Sequence, residues 1–285
     1  MRIEPLDWKH RALLVDLFQA LAPDISNYSF ANAYMFREME RGIDSVLFDT
    51  DIYLIGRTRS GECYLQPTVP PEKIDWERLQ ALREYGDYLF PIPEEWVSAY
   101  EHRGFTCSFN RSDSDYLLSR NDLSKYPGNQ FQAKRNLVYQ FKELFNFQTQ
   151  ELRIHTIPAA ISILEQWQSQ AKGEIGETDY LATLELLNAY EDLDLMGRLT
   201  WVEDKPAGFI IGEPLNASMC VIHCAKADTA FKGIYQYLFQ DFAQSLDTQF
   251  IVVNIEEDIG IPNLRKSKLS YHPIGFRHKY ICRWN

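Results

Sequence analysis

The sequence predicts an α/β protein with two domains, and three observations support this. The chain has 285 residues, which exceeds the usual size of one domain and allows two hydrophobic cores. Hydrophobic residues make up 45% of the chain and aromatic residues 14%, as in packed globular proteins. Segments with strand-like and helix-like patterns alternate along both halves. We therefore predict domains over residues 1–125 and 126–285, each with a mixed sheet flanked by helices.

The first half begins with helical patterns and continues with strands. Leucines from Leu13 to Leu21 recur at helical spacing, and Pro23 follows them. An aromatic-rich helix is expected over residues 30–39. The remaining expected elements are a hairpin over 45–57 that continues through 63–68, helices over 75–82 and 94–102, and strands over 88–92, 105–109 and 115–118.

The second half follows a predicted linker over residues 119–129, which contains Pro127 and Gly128. A helix over 130–145 comes next, then helices that begin near Thr156 and at Tyr180. Strands over 199–202, 209–211 and 218–225, a helix over 230–246 and a buried strand over 250–254 complete the pattern. This order of elements is that of the GNAT acyltransferase fold, and the first half repeats a shortened version of it.

Charge and cysteine content narrow the classes of function. The net charge of -11 and a pI near 5.1 repel nucleic acid and anionic lipid, so local basic patches would have to bind them. Without a long apolar run or an apolar leader segment, the chain is expected in the cytoplasm. Five cysteines without CxxC spacing indicate reduced thiols, and no metal site is expected.

Residues 254–271 combine acidic and basic side chains after a buried strand. Glu256 and Asp258 lie where α/β sheets expose ligand crevices, and Glu256 there suits proton acceptance from an amine. Spacing alone, however, favours a solvated acidic turn. Arg265 and Lys268 suit phosphate binding or an exposed basic helix face, about equally. Tyr271 suits proton donation to a leaving group, although an isolated tyrosine is more often packed.

Three other segments carry weaker signals. Gly233 opens a helix after a strand, where main-chain N–H groups can hold a phosphate, but one glycine also suits a simple turn. Lys134 and Arg135 lie on a predicted helix, for which a solvated face is the more ordinary interpretation. His223 lies within a strand, where a histidine is usually a hydrogen-bonded core residue. Walker A, GxGxxG and HExxH motifs are absent from the sequence.

Together these stretches resemble the DUF2156 family, which is similar to the C-terminal domain of phosphatidylglycerol lysyltransferases. The segments that carry the resemblance are 28–34, 115–118, 134–136, 223–235 and 254–273, and they span nearly the whole chain. The last segment is the most specific, with the pattern Asn-x-Glu-x-Asp-x-Gly-x-Pro-x-Leu-Arg-x-x-Lys-x-Ser-Tyr. The resemblance implies two tandem GNAT-like domains and, for the lysyltransferases, transfer from aminoacyl-tRNA to a lipid headgroup.

The site that this resemblance implies has three groups of residues. The expected catalytic residues are Glu256, Asp258 and Tyr271. The expected cofactor-binding residues are Lys226, Lys232, Gly233, Ile234 and Tyr235. The expected substrate-binding residues are Lys134, Arg135, Asn136, His223, Asn254, Arg265 and Lys268.

Two functions remain open on the sequence. One is an aminoacyl- or acyltransferase that uses aminoacyl-tRNA or acyl-CoA as co-substrate, without a tightly bound cofactor. Its acceptor would be a small molecule or a lipid headgroup, with tRNA as a further partner. The alternative is a non-catalytic GNAT-like module that binds a phosphate-bearing ligand. The sequence leaves the donor, the acceptor and the oligomeric state undecided.

Overall fold

A computed structural model describes residues 1–37, 39, 42–58, 60–171 and 173–285 of the chain. Two compact units make up the fold. The first consists of Met1–Asp115, Glu257–Ile261 and Phe276–Asn285, and the second of Tyr116–Glu256 and Pro262–Gly275. The units therefore differ from the continuous halves expected at residues 125 and 126, because two late segments of the chain belong to the first unit.

The first unit is built on a seven-stranded mixed sheet. Its strands are β1 (Arg2–Pro5), β2 (Gly42–Phe48), β3 (Ile52–Arg57), β4 (Cys63–Pro67), β5 (Tyr88–Pro93), β6 (Thr106–Phe109) and, from the end of the chain, β14 (Lys279–Arg283). Their order is β1-β2-β3-β4-β5-β14-β6. Only β4 and β5 pair in parallel among the pairings of its described residues. The C-terminal strand thus completes the sheet between β5 and β6.

Four α-helices accompany this sheet in the described residues: α1 (Arg11–Leu21), α2 (Phe30–Met35), α3 (Trp76–Ala81) and α4 (Val97–Glu101). Ser29 and Asp75 cap α2 and α3 through their side chains. The helix expected over 30–39 reaches Glu38, which lies outside the described residues. A core cluster that includes Leu47, Leu65 and Leu89 fills this unit.

A disulfide joins Cys107 and Cys282, which lie directly opposite each other on β6 and β14. The expectation of five reduced thiols is therefore wrong for this pair. The two cysteines are 175 residues apart, so local spacing in the sequence gives no sign of their pairing. Cys63, Cys220 and Cys224 are free thiols.

The second unit is built on another seven-stranded mixed sheet, whose order is β13-β7-β12-β11-β10-β9-β8. These strands are β7 (Asp115–Ser119), β8 (Phe147–Glu151), β9 (Met196–Val202), β10 (Lys205–Pro214), β11 (Met219–Ala227), β12 (Val252–Asn254) and β13 (Gly275–Arg277). The helices are α5 (Arg120–Lys125), α6 (Gln132–Leu144), α7 (Ile157–Gln170), α8 (Tyr180–Asn188), α9 (Ile234–Ser245) and α10 (Pro262–Leu269). β11 and β12 run parallel.

The linker expected over 119–129 is not a linker. Ser119 caps α5 by accepting a hydrogen bond from the Asp122 N–H. The Arg120 side chain donates to the carbonyls of Ala243 and Leu246, at the carboxyl end of α9. This segment is therefore packed into the second unit. Within the described residues, no helix has the length and apolar character required to cross a membrane.

Gly233 is needed where α6 and α9 meet. Its φ of 93° favours glycine, and a Cβ at this position would lie 2.2 Å from the Leu137 carbonyl oxygen of α6. A side chain here would force the two helices apart. Packing therefore explains the glycine that the sequence suggested for phosphate binding.

Removing the disulfide should destabilise the protein. Because the bridge limits the freedom of the unfolded chain, Cys107→Ser should lower the free energy of unfolding by about 2–4 kcal/mol. Denaturation curves with and without a reductant measure the effect. Cys63→Ser, at a free cysteine, is the matched control. An unchanged wild-type curve after addition of reductant would contradict the expectation.

Gly233→Ala should lower the free energy of unfolding by more than the strain of a positive φ alone. Gly104 has a similar φ of 91° but no atom within 4 Å of its added Cβ, so Gly104→Ala isolates the conformational cost. That cost is about 1–2 kcal/mol. Gly233→Ala should exceed it because it also meets the α6 main chain. Urea denaturation measures both losses. If Gly233→Ala and Gly104→Ala lose the same free energy of unfolding, α6 accommodates the added Cβ without further cost.

Candidate functional site

The second sheet opens where β11 leaves β12. The two parallel strands pair at Met219 with Val252, Cys220 with Val253 and Val221 with Asn254. β12 then ends, whereas β11 continues to Ala227. The carboxyl ends of parallel strands that separate are where α/β sheets form ligand crevices. We place the candidate site at this opening.

His223 occupies a β-bulge in the continuing part of β11. Ile211 of β10 pairs with Cys224, but the next residue, Gly212, pairs with Ile222. His223 is thus the extra residue between two consecutive pairs. Such a bulge redirects a side chain and is common beside active sites.

The His223 ring lies between two carboxylates. Its Nε2 is 2.8 Å from Glu213 Oε1, and its Nδ1 is 2.9 Å from Glu256 Oε1. The histidine side chain is fully buried, whereas the side chains of Glu213 and Glu256 are 16% and 15% exposed. Burial lowers the pKa of His223, but hydrogen bonds and charges from both glutamates raise it to about 10. His223 is therefore an imidazolium at neutral pH, donating from both nitrogens.

The loop after β12 fixes Glu256. Asn254 is fully buried, and its Oδ1 accepts a hydrogen bond from the Glu256 N–H at 2.8 Å. Glu256 itself has a φ of 56°, which turns the chain sharply. The Lys268 ammonium, on α10, donates to the Ile255 carbonyl. Asn254 and Lys268 therefore hold the main chain that presents Glu256.

Lys134 and Tyr271 form a separate packed contact in the second unit. Lys134 Nζ donates to Ser270 Oγ at 2.6 Å and lies 3.6 Å from the Tyr271 ring centroid. Burial lowers the pKa of Lys134 to about 8. Tyr271 is 5% exposed and packs beside Phe239 of α9, and burial raises its pKa. These contacts pack the Tyr271 ring within the second unit, and its expected role as a proton donor stays a prediction.

The expected phosphate loop is largely committed to internal contacts. Lys226 Nζ is 2.7 Å from Asp179 Oδ1 and 3.7 Å from the Trp167 ring centroid. The Tyr235 hydroxyl accepts a hydrogen bond from the Ala227 N–H at 3.2 Å. Ile234 is buried, and Lys232 is exposed.

The remaining expected residues lie outside strands β11 and β12. Asp258 belongs to the first unit, where it is fully buried and 3.2 Å from the Arg111 guanidinium. Arg135 donates to the carbonyls of Tyr126 and Gly128. Asn136 is exposed on α6, and Arg265 is half-buried on α10.

Glu213 is the residue that sequence reasoning missed. The strand expected over 209–211 ends before Glu213, whereas β10 extends to Pro214. A charged residue at the end of an apolar strand was the available signal. Glu213 contacts His223 because of the bulge in β11, and a sequence pattern does not show this bulge. The structure therefore brings together His223, Asn254, Glu256 and Lys268, and adds Glu213.

The contribution of His223 to stability should depend on pH. Its pKa rises from 6.5 to about 10 on folding, so the contribution is complete below pH 6.5 and is lost as pH rises through 10. The difference in free energy of unfolding between wild type and His223→Gln should shrink across this range. Urea denaturation at several pH values measures it, with exposed His155→Gln as control. A difference independent of pH would contradict the buried imidazolium.

Comparison with known proteins identifies the relatives of the chain. A curated relative, an uncharacterised protein of Mycoplasmoides gallisepticum, is 24% identical over 213 residues, which cover 73% of this chain and 66% of that protein's length. A conserved protein of unknown function from Bacteroides thetaiotaomicron is 24% identical, with full coverage of both chains and a TM-score of 0.85.

Two further solved structures place the fold. L-PGS from Bacillus licheniformis is 12% identical with a TM-score of 0.64, covering 98% of this chain and 92% of that one. A tandem GNAT protein from the clavulanic acid pathway is 8% identical with a TM-score of 0.51, covering 99% and 97%. The predicted class of two tandem GNAT-like domains is thus confirmed. The family of phosphatidylglycerol lysyltransferase C-terminal domains matches residues 18–283, and the chain belongs to that family.

Proposed function

We propose that this protein is an aminoacyl- or acyltransferase whose reaction takes place where β11 leaves β12. One observation carries the proposal: the Glu256 carboxylate accepts a hydrogen bond from a buried His223 at the opening of the sheet. Membership of a family described by lysyl transfer supports the reaction class. The hydrogen bond lies in the second unit, and the family match covers residues 18–283.

The proposed reaction needs one proton acceptor. An acceptor amine or hydroxyl attacks the carbonyl carbon of the donor, forms the new bond and loses a proton. Glu256 is the candidate base. It accepts a hydrogen bond from the His223 N–H and is therefore in its carboxylate form, which can take up a proton. The proton leaves with the hydroxyl or thiol released from the donor. The bulge at His223 also leaves main-chain groups outside the ladder, the type of donor that stabilises an oxyanion.

For the donor, we favour aminoacyl-tRNA over acyl-CoA. Coenzyme A would require a pyrophosphate site at the start of α9, but Gly233 packs against α6 there. Lys226, beside that loop, is paired with Asp179. Exposed Lys232 and Lys266 remain as basic side chains on the surface of this unit. Such side chains suit contacts with a long, phosphate-rich donor. The acceptor is an amine or hydroxyl of a small molecule or a lipid headgroup.

The same contacts also suit a second function, a module that binds a phosphate-bearing ligand without transfer. Its specific support is that Tyr271 and Lys226 are engaged in packing and ion pairing. A module of this kind would bind uncharged tRNA with affinity that falls steeply as salt increases. It would yield no product with any donor.

A transfer assay separates these functions. The full chain is incubated with a panel of aminoacyl-tRNAs and acyl-CoAs, together with small amines or phosphatidylglycerol vesicles, and products are detected by mass. Glu256→Gln should lower kcat by about 100-fold or more, since it removes the base. Glu203→Gln, at an exposed glutamate on the turn after β9, is the control.

The outcomes are distinct. Transfer that Glu256→Gln abolishes while the variant is still folded at the assay temperature supports the proposal, since some stability is lost with the carboxylate that pairs with His223. Equal activity of Glu256→Gln and wild type removes Glu256 as the base. No product from any pair of donor and acceptor rejects the transferase function, and salt-dependent binding of uncharged tRNA would then favour the module.

A further inference from the structure

We infer that Glu213 is a positioning residue, which fixes the charge and the ring orientation of His223 and thereby the proton acceptor Glu256. The inference rests on the proposed function, since it gives Glu213 a part in the same reaction. In this role Glu213 acts through His223.

The geometry of the bulge explains how Glu213 reaches the ring. Glu213 pairs with Val221, two residues before His223, and the register shift lies just beyond the next pair, between Gly212 and Ile211 of β10. The carboxylate at the end of β10 therefore meets Nε2 at 2.8 Å from one side of the ring. Glu256 meets Nδ1 from the other side at 2.9 Å. The imidazole is thus held at both nitrogens by groups from different segments.

Two carboxylates constrain the protonation of the His223 ring differently from one. A neutral imidazole has a single N–H, and either nitrogen can carry it. With Glu213 and Glu256 on opposite sides, the doubly protonated ring satisfies both, so Nδ1–H always points at Glu256. If Glu213 were neutral, the fully buried ring would lose one of the two charges that favour its protonation. Nδ1 would then donate to Glu256 only in one tautomer.

Among the described residues, no group other than Glu213 and Glu256 contributes to the raised pKa of His223. The causes that raise the pKa of His223 are hydrogen bonds and charges from Glu213, on β10, and Glu256, after β12, against the opposing effect of burial. Glu213 also bonds the nitrogen that faces away from Glu256. Its role is therefore to set the state of His223, and that state can be measured without any substrate.

The test is the titration of His223, followed through the 15N resonances of its ring and assigned with His223→Gln. In wild type, both nitrogens should stay protonated through neutral pH. Glu213→Gln should lower the midpoint by about 1–3 pH units, because one opposite charge is lost. Glu203→Gln should leave it unchanged. An unchanged midpoint in Glu213→Gln, or an equal shift in Glu203→Gln, would overturn the inference.

Two further measurements complete the test. If Glu213→Gln does not fold, Glu213→Asp keeps the charge but withdraws it by one methylene, and a smaller lowering of the midpoint is then expected. In the transfer assay, Glu213→Gln should lower kcat and displace its pH profile with little change in KM. If titration shifts but no variant and no wild type shows transfer, the proposed function fails while the positioning of His223 stands. If wild type is active and the profile of Glu213→Gln is unmoved, the positioning role fails alone.

Discussion

The candidate site depends on one constraint, the short parallel pairing of β11 with β12. The pairing ends at Val221 and Asn254, yet β11 continues to Ala227 because β10 still pairs with it. One edge of β11 is therefore without β12 from Ile222 onward. The bulge at His223 then turns the ring into the opening, and the Asn254 turn brings Glu256 to it. If β12 paired farther along β11, its main chain would occupy the position of this opening.

Both units hold a buried cation between two carboxylates. In the first, Lys279 is 1% exposed and lies 2.6 Å from Asp115 and 2.8 Å from Glu257. In the second, His223 is held by Glu213 and Glu256. Burying a charge is costly unless it is paired and hydrogen-bonded, and two carboxylates offset that cost in each case. Both cations are therefore held in their charged form, and the second arrangement differs in that Glu256 lies at the opening between β11 and β12.

Sequence patterns predicted the elements around the site better than the contacts within it. The helix expected over 230–246 is α9, Ile234–Ser245, because its apolar spacing is local information. By contrast, β14 enters the first sheet from the end of the chain, and Cys282 meets Cys107 across 175 residues. Likewise, the register between β10 and β11 determines that Glu213 lies beside His223. Periodicity carries no information on such long-range pairings, and a bulge of one residue leaves no periodic trace.

The surroundings of α9 change how its glycine should be interpreted. A glycine at a helix start can mark either a phosphate cradle or a close helix contact, and the two make different demands on space. A cradle requires open space in front of the helix, whereas Gly233 has the Leu137 carbonyl 2.2 Å from the position of a Cβ. The glycine is thus fully explained by α6. In the transfer that we propose, the donor would then be recognised at His223 and Glu256 and by exposed basic side chains, which suits the proposed aminoacyl ester on a long polyanion.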